Sequence, residues 1–157
     1  MKTVVIIQAR MGSTRLPGKV LKTILGKPML ERMVERVKRA KLIDQIVVAT
    51  STKSIDNPII QLTSNLGISF YRGSETNVLD RYHKAAQNFQ ADIIVRLTAD
   101  CPLIDPGIID QTITNFIKSK STYINNRLKD PNIPSGFDVE VFTMSALNQA
   151  HDHSTTA

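Results

Sequence analysis

The chain has 157 residues, 20 Lys plus Arg against 14 Asp plus Glu, a formal charge of +6 and one cysteine. That length suits a single domain able to bury roughly two-thirds of the surface its unfolded chain would expose, and the lone Cys101 excludes an internal disulfide framework, as expected of a reducing, cytoplasmic setting. No apolar run nears the roughly 18 residues of a membrane span, and with 5% aromatics and no Trp the sequence lacks a nucleic-acid platform, so the positive balance points to a small anionic partner.

Apolar β-rich runs alternate with helical patterns. A strand over Thr3 to Ile7 breaks directly into a loop that carries Arg10, Arg15 and Lys19 among Gly12, Pro17 and Gly18. Pro28 to Ala40 reads as a helix, because Met29, Leu30, Met33, Val34 and Val37 keep the three-and-four spacing of one apolar stripe. Pro28 suits its first turn, and Glu35 with Arg39 forms a favourable pair one turn apart. Ile46 to Thr50 is the second strand, Pro58 to Leu66 a helix closed by a left-handed Gly67, and Ile68 to Tyr71 the third strand.

Asn77 to Phe89 reads as a helix with Asn77 in a capping position and Asp80 and Arg81 on its surface, contact with a ligand being the alternative for all three. Ile93 to Leu97 is the fourth strand, Pro106 to Lys118 a helix that Asp105 caps, and Asp138 to Phe142 the last strand. Arg127 to Gly136, with Pro131 and Pro134, reads as a long irregular connection. His151 to Ala157 carries no structural signal, so the folded domain is expected over 1–150 with a disordered tail behind it.

This βαβ series, with unbroken hydrophobic strands such as Val4 to Ile7, predicts an α/β fold: a mainly parallel central sheet in a three-layer α/β/α arrangement. Ligands of such sheets collect beyond the carboxyl ends of the strands. Gln8 to Lys19, Arg72 to Asn77 and Thr98 to Asp105 each follow a strand, so they should share one rim. The first of these is neither a P-loop, which needs Lys-Ser or Lys-Thr after its second glycine, nor a dinucleotide fingerprint, which needs three glycines at fixed offsets. It reads as a distinct anion loop in which backbone N–H groups and cations can meet phosphate, a solvated surface loop whose basic residues aid solubility being the plainer alternative. Asp100, between a buried strand and Pro102, should project toward such a ligand, where a hard cation would bridge oxygens; a turn aspartate is the plainer alternative. Arg96, inside the fourth strand, needs a nearby carboxylate. Cys101 reads as structural, and His151 and His153 as part of the tail rather than as metal ligands.

The runs Gln8-Ala9-Arg10, Gly12 to Lys19 and Gly26-Lys27-Pro28-Met29 resemble the N-terminal signature of sugar cytidylyltransferases. That group includes CMP-KDO synthetase, acylneuraminate cytidylyltransferase and, most similar, the spore-coat polysaccharide biosynthesis type. The resemblance continues through Asn77 to Tyr82, Arg96 to Ile104 and Gly136 to Phe142. It implies a Rossmann-like nucleotide-diphospho-sugar transferase fold and transfer of CMP from CTP to a sugar acid or related sugar, with release of pyrophosphate. It further implies Arg10, Arg15 and Lys19 as triphosphate ligands, backbone groups of Ala9 facing cytosine, and Arg72 and Ser74 near the base. Asp100 would hold Mg2+, and Asp138 and Glu140 would lie near the acceptor, two charges on a solvated strand face being the alternative. A homodimer is compatible with it, nucleic acid and membrane are not among the expected partners, and another nucleotide base stays open. The family runs considerably longer, with a second metal-binding aspartate near its C-terminal end. A shortened, non-catalytic nucleotide-binding chain is therefore the alternative expectation.

Overall fold

Val4, Val5, Ile6 and Ile7 are all fully buried, which forces the first strand, β1 (Thr3–Gln8), into the middle of a sheet covered on both faces. Each such side chain contributes roughly 1.5–3 kcal/mol by leaving water. The computed structural model describes residues 1–129 and 132–154. Beside β1 lie β4 (Gln45–Ser51) and then β5 (Ser69–Gly73) on one side, β6 (Ile93–Thr98) on the other, all parallel. Beyond β6 the sheet turns antiparallel through β8 (Glu140–Thr143) to β7 (Tyr123–Asn125), giving the order β5-β4-β1-β6-β8-β7. A small hairpin, β2 (Thr23–Ile24) with β3 (Lys27–Pro28), stands apart from it.

The odd and even residues of β1 point into two separate cores. Val5 and Ile7 meet α1 (Met29–Val37), α2 (Asn57–Asn65) and α4 (Pro106–Ser119) through Met33, Ile59 and Ile109. Val4 and Ile6 meet α3 (Val78–Asn88) and α6 (Met144–Ser154) through Tyr82, Ala85 and Leu147. The mainly parallel, three-layer α/β/α sandwich follows from that division. Register then positions the rim: Gln8 pairs with Ala49 on one side and Thr98 on the other, so the loops leaving β1, β4 and β6 start at one level.

Several expectations change in detail. Helix α1 spans only Met29–Val37, so Arg39 lies beyond its end and Glu35 pairs instead with Lys27 and Arg32. Arg127 begins no long coil: it belongs to a short helix, α5 (Asn126–Lys129), while Asp130 and Pro131 of that expected connection lie outside the described residues. Helix α6 runs through Ser154, so His151 and His153 are helical; Thr155 to Ala157 lie outside the described residues. The last strand starts at Glu140, two residues later than expected, because Asp138 is spent on the preceding turn, accepting from Gly136 N–H at 3.1 Å. Arg81, expected at the surface, is fully buried. Gly67 takes the predicted left-handed conformation at φ 64°, and Asn77 and Asp105 accept from backbone N–H groups as helix caps.

Candidate functional site

The loop leaving β1 is closed by its own backbone. The Met11 carbonyl accepts from Ser13 N–H at 2.8 Å and from Gly18 N–H at 2.9 Å, drawing the far end of the loop back to its start. Gly18 sits at φ 68°, and a Cβ there would lie 3.3 Å from the Met11 methyl, so the turn requires glycine. One short 3-10 turn, Lys19–Leu21, follows and delivers the Lys19 ammonium to Asp100, Nζ to Oδ2 at 2.8 Å. Ala9 is buried and its N–H is held by the Ala49 carbonyl at 3.1 Å, which leaves only its carbonyl for the backbone role expected of it.

Arg10, Arg15, Lys19, Ser13, Thr98 and Asp100 line one groove of about 230 Å³ over the ends of β1 and β6. Among the described residues Arg10 and Arg15 make no side-chain hydrogen bond or ion pair. The groove is thus a concave, water-exposed concentration of positive charge with a single carboxylate on its far wall. Asp100 is placed by Ala99 N–H on the Gln8 carbonyl (3.0 Å) and Cys101 N–H on the Thr98 carbonyl (3.2 Å). The Lys19 ammonium holds its carboxyl below the usual aspartate range, so it is ionised at neutral pH. Cys101 is buried and its thiol is pushed up by that burial, which suits a structural role.

Could this set hold a divalent cation? Among the described residues no cluster of three or more His, Cys, Asp or Glu is arranged for one. Asp100 is an ionised, partly exposed oxygen donor facing a polyanion-sized groove, and that fits magnesium in the mode where one carboxylate is supplemented by water and phosphate oxygens. It does not fit zinc or a closed structural site.

Arg72 and Ser74 lie on the other side of the first loop, outside this groove. Arg72 donates to the Ser51 and Lys53 carbonyls, both at 3.0 Å, bracing the turn after β4. Ser74 Oγ accepts from Asn77 N–H at 3.0 Å. The turn they belong to borders the first loop, since a Cβ on Gly12 would stand 3.9 Å from Glu75 Oε1. Two residues that sequence reasoning missed hold this region. Asp56 is buried and accepts from Met11 N–H (2.7 Å), from Ser51 N–H (3.2 Å) and from the Ser51 hydroxyl. Arg81 is buried beneath the turn and donates through Nη1 to the Ser74 and Glu75 carbonyls. No local pattern marks either one; only the polar character of Asp56 just before the Pro58 helix start could have drawn notice.

Asp138 and Glu140 are not brought to the groove. Asp138 pairs with Arg127 at 3.2 Å. Glu140 pairs with Arg96, which answers the demand of that buried-strand cation for a carboxylate. The Arg96 guanidinium also lies 5.6 Å from the Tyr82 ring centroid. Arg96, Glu140, Tyr82, Tyr123, Phe142 and Leu147 line a second, mostly apolar cavity of about 380 Å³ between α3, α6 and β8. Its Arg96 shares a face of β6 with Thr98, about 7 Å further along the strand. His151 is no tail residue either: its ring stacks on His83 at 4.0 Å and hydrogen-bonds Asp80 at 3.1 Å.

A sequence profile of the family described as "Cytidylyltransferase" matches residues 4–157. Among individual proteins, an uncharacterized protein of Methanocaldococcus jannaschii is 42% identical over 150 residues, 96% of this chain and 60% of its own length. The Bacillus subtilis spore coat polysaccharide biosynthesis protein SpsF is 40% identical over 122 residues, 75% of this chain and 51% of that protein. A 3-deoxy-manno-octulosonate cytidylyltransferase of Trichlorobacter lovleyi is 42% identical over 117 residues, 74% of this chain and 46% of the enzyme. The chain thus spans 60% or less of these curated relatives' lengths. Among solved structures, a cytidylyltransferase from Leptospira borgpetersenii superposes with TM-score 0.91 at 38% identity, covering 97% of this chain and 64% of that one. A CMP:2-keto-3-deoxy-manno-octonic acid synthetase complexed with CTP superposes with TM-score 0.77 at 21% identity, covering 97% of this chain and 78% of that one, and attests the shared fold. The Rossmann-like nucleotidyltransferase sandwich, the cation-bearing loop with its facing carboxylate and the profile match over nearly every residue agree: this chain belongs to the cytidylyltransferase family.

Proposed function

We propose that the groove between the first loop and Asp100 binds the triphosphate of CTP, and that the protein transfers CMP to a sugar acid or related sugar with release of pyrophosphate. The observation that carries this reading is the set Arg10, Arg15 and Lys19 converging on one groove, two of them with no side-chain partner among the described residues. The names of the relatives support cytidine and a sugar acid as the substrates. In such a reaction an acceptor hydroxyl attacks the α-phosphorus as the bond to the pyrophosphate oxygen breaks, and charge accumulates on the phosphoryl oxygens. The three cations would neutralise that charge and hold the chain of phosphates in line. Asp100 would hold Mg2+, which when bound supplies further charge neutralisation at the phosphates. Engagement of Lys19 by phosphate would release Asp100 from its ion pair.

The acceptor would approach from the Thr98 side, where β6 leads toward Arg96 and Glu140. No protein nucleophile is required, in keeping with the buried state of Cys101. The test has two arms. CTP with Mg2+ should raise the thermal transition of the chain by mass action, and pyrophosphate should be released when a panel of sugar acids is added. Absence of a thermal shift with CTP would overturn the reading of the groove, and a shift with every acceptor silent would restrict the chain to nucleotide binding.

A further inference from the structure

Two buried ions of opposite sign stand behind the rim without touching each other, and each ties down a different wall. Asp56 is 1% exposed and receives the Met11 N–H at the entrance of the first loop, while the same carboxylate receives Ser51 at the end of β4. A carboxylate so placed locks the loop's starting direction to the sheet, because three donors satisfy it only when both segments are in place. Arg81 is 0% exposed and takes the carbonyls of Ser74 and Glu75 on Nη1. Its stem packs closely on the start of the same turn: a Cβ on Gly73 would lie 3.0 Å from Arg81 Cγ and from the Tyr71 ring. Burial pulls its guanidinium pKa down, Tyr82, Asp56 and Glu75 pull it back up, and Arg10 on the neighbouring wall adds to the lowering. Nε and Nη2 have no hydrogen-bond partner among the described residues, so the cation is only partly compensated where it sits.

A fold that needed only stability would have little use for an undercompensated charge at this position. We infer that Asp56 and Arg81 are separate positioning residues for the two halves of one nucleotide site: Asp56 sets the phosphate loop through Met11, and Arg81 sets the adjoining turn at 73–77, which borders that loop and would meet the nucleoside once the triphosphate lies in the groove. This rests on the proposed nucleotide reading of the groove and assigns which part of the ligand each buried charge controls.

Tripolyphosphate carries the phosphate chain without the nucleoside, so the ratio of its affinity to that of CTP separates the two walls. Both dissociation constants, measured by calorimetry with Mg2+ below each variant's melting transition, should weaken together in Asp56→Asn, by about tenfold, leaving the ratio within twofold of the wild type. In Arg81→Lys the CTP constant should weaken by about tenfold more than the tripolyphosphate constant. Arg81→Lys keeps the positive charge, and any remaining long-range electrostatic change acts on both probes alike and cancels in the ratio. Should Asp56→Asn not fold, Ser51→Ala removes one donor from the same carboxylate and should weaken both probes by a smaller common factor. Lowered melting temperatures with both ratios and affinities unchanged would reduce the two residues to structural props and overturn the inference. An unchanged ratio in Arg81→Lys would do the same for the nucleoside wall. If the wild type binds neither probe, the nucleotide reading itself falls.

Discussion

Along the carboxyl ends of β1 and β6, cations outnumber their protein partners: Arg10 and Arg15 have none among the described residues, and Lys19 has only the partly exposed Asp100. Across the antiparallel margin formed by β8 and its preceding turn, each cation is matched within the protein, Arg96 by Glu140 and Arg127 by Asp138. The contrast shows how one chain uses the same residue types for two purposes. The groove's cations are left exposed or paired only with a partly exposed carboxylate, where water keeps their cost low. Where Arg96 leaves β6 at the edge of a packed layer a carboxylate matches it, because a desolvated ion without a partner is expensive, and the more exposed Arg127 is matched at lower cost.

That contrast can be broken or sharpened in order of expected size. Ile6→Ala strikes the strand both regions share and should cost about 2–5 kcal/mol, read as a fall of roughly 10 °C in the thermal transition. Lys19→Met should leave the transition nearly unmoved yet weaken CTP binding by roughly 10- to 100-fold in calorimetry, since a charge-assisted contact is lost. Glu140→Gln should do the reverse: about 1–2 kcal/mol less stability in denaturant melts, with CTP affinity within twofold. A large affinity loss in Glu140→Gln would erase the distinction between the regions.

Smaller still, Asp105→Ala removes the acceptor for Gly107 and Ile108 N–H at the start of α4 and should cost about 1 kcal/mol. The smallest effect is acid sensitivity. The Asp100 carboxyl is held below its ordinary value by Lys19, so its contribution is present above about pH 4 and disappears as pH falls through the folded value. Because both partners are partly exposed, screening limits it to under about 0.5 kcal/mol. Comparing acid melts of the wild type with Asp100→Asn should reveal it as a slightly shallower decline in the variant.

The parallel half was readable because its physics is local. Val4 to Ile7 is too apolar for anything but a central strand, Asn77 and Asp105 precede helices at cap spacing, and Gly67 stands where a left-handed residue is wanted. The cation loop announced itself by charge beside a strand end. What stayed hidden depends on contacts distant in sequence. Arg81 looks like any polar residue of an amphipathic helix until the turn at 73–77 folds over it. Asp56 meets Met11 from 45 residues away. His151 looked frayed because its partners, His83 and Asp80, sit on another helix. Asp138 was read into a strand by alternation alone, although its side chain does better closing the turn at Gly136.

The ion pair between Lys19 and Asp100 has one more consequence. It makes the groove's third cation a contested one: a visiting anion must outcompete an intramolecular carboxylate that never diffuses away. A small monophosphate that reached only this ammonium would gain little by the exchange, whereas a longer polyphosphate that also met both arginines would win it through valency. On the proposed reading of the groove, that internal rivalry would act as a length filter, favouring a polyphosphate over a short phosphate.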